Sequence, residues 1–285
     1  MFESLESIIS QCKKEKKNFA EIVIENEVKS TDCTKEKVVE KMQKMWQVML
    51  EASNNYDGSL FSNSGLSGGD GKKFSDYAGK GNTLSGSYIS SVISEALKMA
   101  ESNACMKRIV SSPTAGACGV LPAVLIPLYR QKKYPDEKFV EALLVAAGIG
   151  QVIANKACIS GAQGGCQAEI GSASAMAGGS LVYLSGGSAE EISIAVGLCL
   201  QNLMGLVCDP VAGYVEIPCI KRNVIGAVNA VSCADMVLSG IKAKIPADEV
   251  IEAMGLVGQK MDSSLRETGQ GGIAACKSAK KLIKM

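Results

Sequence analysis

Residues 167–184 impose the tightest limit on the fold. Within them, EIGSASAMAGGSLVYL is a helical run crowded with Gly, Ala and Ser, and small residues let helix backbones approach one another closely. From Ser87 onward nearly all of the chain reads as helix, over 87–103, 119–130, 136–157, 167–184, 189–206, 222–240 and 246–262. No alternating strand pattern stands out there. The simplest architecture is an all-α domain with tightly packed central helices and a functional site at helix ends and loops.

Upstream, residues 34–54 carry Val38, Met42, Met45, Trp46 and Met49 at helical spacing and are expected to be core. The stretch FAEIVIENEV (19–28) is read as a short strand. Residues 58–86 are rich in Gly and Ser. There SGLSGGDGKK hints at a phosphate loop but lacks the G-x-x-x-x-G-K-[ST] spacing, so a surface or substrate-proximal loop is expected. The 285 residues are read as one domain: an N-terminal helical segment and loop (1–85), a catalytic core (86–275) and a basic tail (276–285).

A net charge of +1 gives no electrostatic footprint for nucleic acid or an anionic membrane. The most apolar windows, FVEALLVAAGIGQVIANKA and EISIAVGLCLQNLMGLVC, are cut by Gln, Asn or Glu before reaching the roughly 20 apolar residues that span a bilayer. The N-terminus has no secretory pattern. A cytoplasmic location is expected, where thiols stay reduced. Eleven cysteines are then not a disulfide framework. The chain has no histidine, which excludes a Ser-His-Asp triad, a His-ligated metal and a His base supplied by this chain. A catalyst must use a carboxylate, lysine, thiolate or cofactor, or borrow its base from another chain.

Three thiols stand apart from the rest. Cys166 follows two glycines at the start of the 167–184 helix. That helix and the next, which opens on a Ser188–Glu191 capping box, are each about 27 Å long at 1.5 Å per residue. As an antiparallel pair they return Cys208 to the level of Cys166, and the loop cut by Pro210 and Pro218 can bring Cys219 to the same place. The helix start favours a thiolate at Cys166. Two readings remain open on spacing alone: three unrelated buried cysteines, or a ligand set. Zinc would want a fourth protein ligand; an open fourth position suits an iron–sulfur cluster.

The motifs SSPTAGACGVLPA (111–123), ISGAQGGCQAEIG (159–171), CDPVAGYVEIPCIKRN (208–223) and RETGQGGIA (266–274) occur in one order. Together they resemble the α subunit of bacterial iron–sulfur L-serine dehydratases over roughly residues 85–275. By that resemblance, Cys166, Cys208 and Cys219 match the cysteines that hold a four-iron, four-sulfur cluster. The implied reaction is elimination of water from L-serine, giving aminoacrylate and then pyruvate and ammonia. The uncoordinated iron would act as a Lewis acid on the hydroxyl.

Ser112 and Thr114, before a helix start, are expected to hold the substrate carboxylate. Asn223 either touches cluster or substrate or caps its helix. Glu169 and Asp209 are candidate proton-transfer groups, with ligand support as their main expected role. Arg266 and Glu267 read either as an ion pair closing the site or as a surface pair. Cys118, Cys158, Cys199 and Cys233 are expected in apolar helices as core. Many single-chain relatives carry an extra domain and a cysteine at the very C-terminus. Here the chain ends CKSAKKLIKM, which makes Cys276 a weak match to that thiol and implies a separate β chain able to supply histidine. Two other readings compete: an iron–sulfur redox sensor or interaction subunit, and a pyridoxal-phosphate dehydratase, whose Schiff-base lysine and phosphate cup are not visible.

Overall fold

The computed structural model describes residues 2–282. Among these the regular structure is helical, with no strand: α1 (Leu5–Glu15), α2 (Phe19–Thr31), α3 (Lys35–Asn54), α4 (Asp70–Ala78), α5 (Gly86–Ala104), α6 (Val120–Lys132), α7 (Asp136–Lys156), α8 (Gly161–Gly164), α9 (Ser172–Leu184), α10 (Ala189–Leu203), α11 (Cys219–Leu238), α12 (Ala247–Lys260) and α13 (Lys277–Leu282). The expected all-α fold is therefore what forms. None of these helices is long and apolar enough to cross a membrane.

Helix α9 is the axis of the core. Residues 172–182 are all buried, and α6, α7, α10 and α11 pack around them. Small residues make this possible: a Cβ on Gly178 would lie 2.7 Å from Cys199 Sγ of α10, and one on Gly179 would collide with Ile149 Cδ1 of α7. In a helix buried on every side, hydroxyls need protein partners; Ser172 Oγ has none, but two others do. Ser174 Oγ donates to Gly226 O and Ser180 Oγ to Ala142 O, both at 2.8 Å.

The turn into α10 is closed by the expected capping box, in which the Ser188 hydroxyl accepts from Glu191 N and Glu191 accepts from Ser188 N. One expectation fails upstream. Residues 19–28 lie in helix α2 rather than a strand, because Asn18 and Glu21 form a second capping box. Phe19, Ala20, Ile22, Val23 and Ile24 are buried as α2 packs on α3 and α7. Trp46 of α3 stacks on Phe139 of α7, ring centroids 4.9 Å apart, which ties the N-terminal helices into the same core.

The glycine-rich loop is no phosphate site. At the start of α4, Asp70 N and Gly71 N donate to the buried Glu101 carboxylate at 2.7 and 3.0 Å, so the chain itself supplies the anion that this helix end attracts.

Candidate functional site: a buried thiol–carboxylate centre

The site lies where the α9–α10 hairpin returns to its starting level. Cys166 precedes a single π-helical turn, Gln167–Gly171, that leads into α9; such turns rotate side chains out of α-helical register. Gln167 is the latch between the two ends of the hairpin. Its backbone N–H donates to Leu206 O at 2.9 Å and its Oε1 accepts from Gly205 N at 2.8 Å. Its Nε2 donates to Gly164 O and Met254 O. Cys208 is then bracketed by the 265–267 segment: Cys208 N donates to Leu265 O (2.8 Å) and Glu267 N donates to Cys208 O (2.7 Å).

The result is a convergence of ligand-type atoms. Cys166 Sγ, Cys208 Sγ and a Glu169 carboxylate oxygen lie within 4.8 Å of one another. Cys219, the buried first residue of α11, is not among these mutually close atoms; its backbone carbonyl is tied to Asn223. Two glycines line the convergence with bare backbone. A Cβ on Gly161 would lie 2.8 Å from Cys208 Sγ and 3.4 Å from Glu169 Oε2, and one on Gly116 would lie 2.7 Å from Glu169 Oε1. These two glycines leave room beside the donors that any other residue would fill.

Electrostatics divide the three thiols. A hydrogen bond from Cys208 and the Arg222 guanidinium hold Cys166 below the usual thiol range against the cost of burial. The same shared hydrogen bond pushes Cys208 well up. Burial pushes Cys219 up to about 12, and burial also raises Glu169, with the Thr114 hydrogen bond opposing it. Two sulfurs and a carboxyl group that converge in a buried pocket form a donor set for a soft metal or an iron–sulfur centre, whose uptake would release protons.

Of the remaining expected residues, Thr114, Asn223 and Asp209 are tied to this centre or to the segments that carry its thiols. Thr114 Oγ1 donates to Glu169 Oε1 in a short hydrogen bond. Ser112 Oγ is buried without a partner, an orphan that something bound beside it could satisfy. Asn223 is fully buried: its Oδ1 accepts from Gly119 N (2.8 Å), and its Nδ2 donates to Gly116 O (2.8 Å) and Cys219 O (3.0 Å). It fastens the 116–119 turn to the first turn of α11. Asp209 is held through both oxygens, Oδ1 by charge alone because it has no hydrogen-bond partner. Oδ1 sits 2.8 Å from Arg222 Nη1 in an ion pair, and Oδ2 accepts from Ile273 N at 2.7 Å.

Arg266 and Glu267 form no ion pair with each other among the described residues. Their backbone is what matters, through the bridge of residue 266 to Cys208. Of the four cysteines expected in core helices, Cys199 and Cys233 fit. Cys118 is buried in the turn before α6, and Cys158 is a half-buried residue beyond the end of α7. Cys276 is exposed.

Sequence reasoning missed Arg222. Its Nη1 also donates to Val207 O at 2.7 Å and lies 3.5 Å from Cys166 Sγ, so one buried cation joins the segments that carry Cys166, Cys208 and Cys219. The available signal was its place one turn after Cys219, on the face shared with that thiol.

The fold and the site define an all-helical protein with a buried thiol–carboxylate centre. A protein-family model described as serine dehydratase alpha chain matches residues 14–274. The chain belongs to that family. It is 43% identical over 284 residues to the probable L-serine dehydratase alpha chain of Bacillus subtilis, covering 100% of this chain and 95% of that one. It is 38% identical over 283 residues to the L-serine dehydratase alpha chain of Peptoniphilus asaccharolyticus, covering 99% and 97%. The L-serine dehydratase of Helicobacter pylori (strain 26695) is longer: 34% identity over 281 residues covers 96% of this chain and 61% of that one.

Proposed function

We propose that this chain is the α subunit of an iron–sulfur L-serine dehydratase, a lyase converting L-serine to pyruvate and ammonia. The observation that carries the reading is the meeting of Cys166, Cys208 and Glu169 in one buried, glycine-walled centre in a chain of this family. Cys166, Cys208 and Cys219 would hold a four-iron, four-sulfur cluster. When bound, that group supplies a Lewis-acidic iron toward the substrate hydroxyl.

The chain's own residues prepare the rest. The unpartnered Ser112 hydroxyl donates to the substrate carboxylate. Thr114 fixes the Glu169 carboxyl by hydrogen bonding, and Asn223 holds the 116–119 turn against Cys219. Burial keeps Glu169 protonated further up the pH scale than a free carboxyl, which suits it to hold a proton near the leaving hydroxyl. Asp209 is committed to Arg222 and Ile273 and serves as support.

A base for the Cα proton must titrate near the working pH, and this chain has no histidine. A separate β chain supplies that base, and with it a pH profile rising through the histidine range. The test is anaerobic pyruvate formation from L-serine by the reconstituted α chain, with and without a β chain encoded beside it. Turnover should appear only with the partner. Full turnover by the α chain alone would refute the shared site and make Glu169 the leading candidate for the base.

A further inference from the structure

The Gly/Ser-rich loop is organised around a buried acid that the proposed reaction does not use. Glu216 lies three residues before Cys219 and is 5% exposed. Its Oε2 accepts from Ser62 Oγ (2.7 Å) and Ser67 Oγ (2.5 Å), and its Oε1 from Ser64 Oγ (2.7 Å). No Lys or Arg reaches it among the described residues. The loop is shaped for this carboxylate: Ser62 N donates to Ser67 O, Gly65 N to Ser62 O and Leu66 N to Ser64 Oγ. Gly68, at φ +146°, has no room for a Cβ, which would strike Leu60 O.

The same acid is tied to the start of α11, since Glu216 O accepts from Ile220 N at 3.0 Å. A second tie follows at the next residue, where the partly exposed Lys221 Nζ meets Asp70 Oδ2 at 2.6 Å. Residues 62–70 thus grip the chain on both sides of Cys219. A buried carboxyl group satisfied by three hydroxyls is costly to release, because each lost donor leaves a buried acceptor unpaired. A loop without helix or strand over 60–69 gains no order from its own backbone ladder, so this grip explains both its serines and its shape.

We infer that Glu216 is a positioning residue for Cys219, acting through a three-serine clamp that fixes the first turn of α11. The inference rests on the proposed role of Cys219 as a cluster ligand, but its test does not. The metal-free full chain is treated with iodoacetamide under native, reducing conditions, and labelling at each cysteine is followed by peptide mass spectrometry.

Glu216→Gln should speed labelling of Cys219 by about tenfold or more while the core thiol Cys199 stays silent. Ser64→Ala, which removes one donor at the clamp's outer edge, should give a smaller rise confined to Cys219, and Ser64→Thr, which keeps the hydroxyl, should restore the slow rate. In the reconstituted chain the same variants should lose iron to a chelator faster, in the same order. Wild-type labelling at Cys219 in both Glu216→Gln and Ser64→Ala would overturn the inference. So would a rise that Cys199 shares equally in both variants, since that reports general loosening. A wild-type chain that takes up no cluster would contradict the proposed function and leave the labelling result to judge the clamp.

Discussion

Arg222→Met removes the one cation that joins the three thiol-bearing segments, and the structure sets the size of the loss. The Arg222 side chain is 9% exposed and that of Asp209 3%, with 2.8 Å between their charged atoms. Removing one partner of such a buried pair strands the other's charge, at a cost of about 3–5 kcal/mol. Val207 O loses a 2.7 Å donor as well, which adds about 1–3 kcal/mol if no water replaces it. Against a typical total of roughly 5–15 kcal/mol, the metal-free variant should be marginal.

The assay is urea denaturation of the metal-free chain under reducing conditions, with the loss read from the midpoint at unchanged slope. Arg222→Met combined with Asp209→Asn removes the stranded charge and keeps an acceptor for Ile273 N. It should recover at least half of the loss, the non-additivity expected of residues in direct contact. A loss below about 1 kcal/mol for the single variant, smaller than any buried-pair estimate allows, would refute the reasoning. A double variant no better than the single would do so equally.

Two further outcomes follow from packing and exposure. Gly178→Ala should destabilise the chain by about 1–3 kcal/mol, even though Ala favours a helix, because the new Cβ would lie 2.7 Å from Cys199 Sγ; adding Cys199→Ala should recover most of the loss in the same urea assay. In the native metal-free chain, a thiol-disulfide reagent at neutral pH should react first with exposed Cys33 and Cys276. It should leave Cys118 untouched, because Cys118 is buried and its thiol is pushed up to about 12 by that burial. Rapid reaction at Cys118 would contradict its placement.

Much of this fold was legible because its signals are local. Small residues in 172–184 marked the axis, Ser188 and Glu191 marked a helix start, and two helices of similar length carried Cys208 back to Cys166. The N-terminal error was also local. Glu residues flanking the Ile22–Ile24 run suggest alternation, whereas the Asn18–Glu21 capping box and the burial of Phe19, Ile22 and Val23 are helical features. Residues whose partners are distant in sequence were not legible. Glu216 meets serines about 150 positions away, Glu101 caps a helix start 30 positions upstream, and Arg222 lies 56 positions from Cys166. No periodicity encodes such pairings. Asn223 was read only as a cap or a contact, because its tie to Gly116 and Gly119 exists only once α6 and α11 are packed.

The central claim is that Cys166, Cys208 and Cys219 together hold a cluster. Anaerobic reconstitution with iron and sulfide, followed by analysis of bound iron and acid-labile sulfide, measures it directly. The wild-type chain and Cys199→Ser should each retain about four irons and four sulfides. Cys166→Ser, Cys208→Ser and Cys219→Ser should each lose the cluster's visible absorbance while keeping the helical circular dichroism of the parent. Retention of a full cluster by Cys208→Ser, together with its loss in Cys199→Ser, would contradict the account.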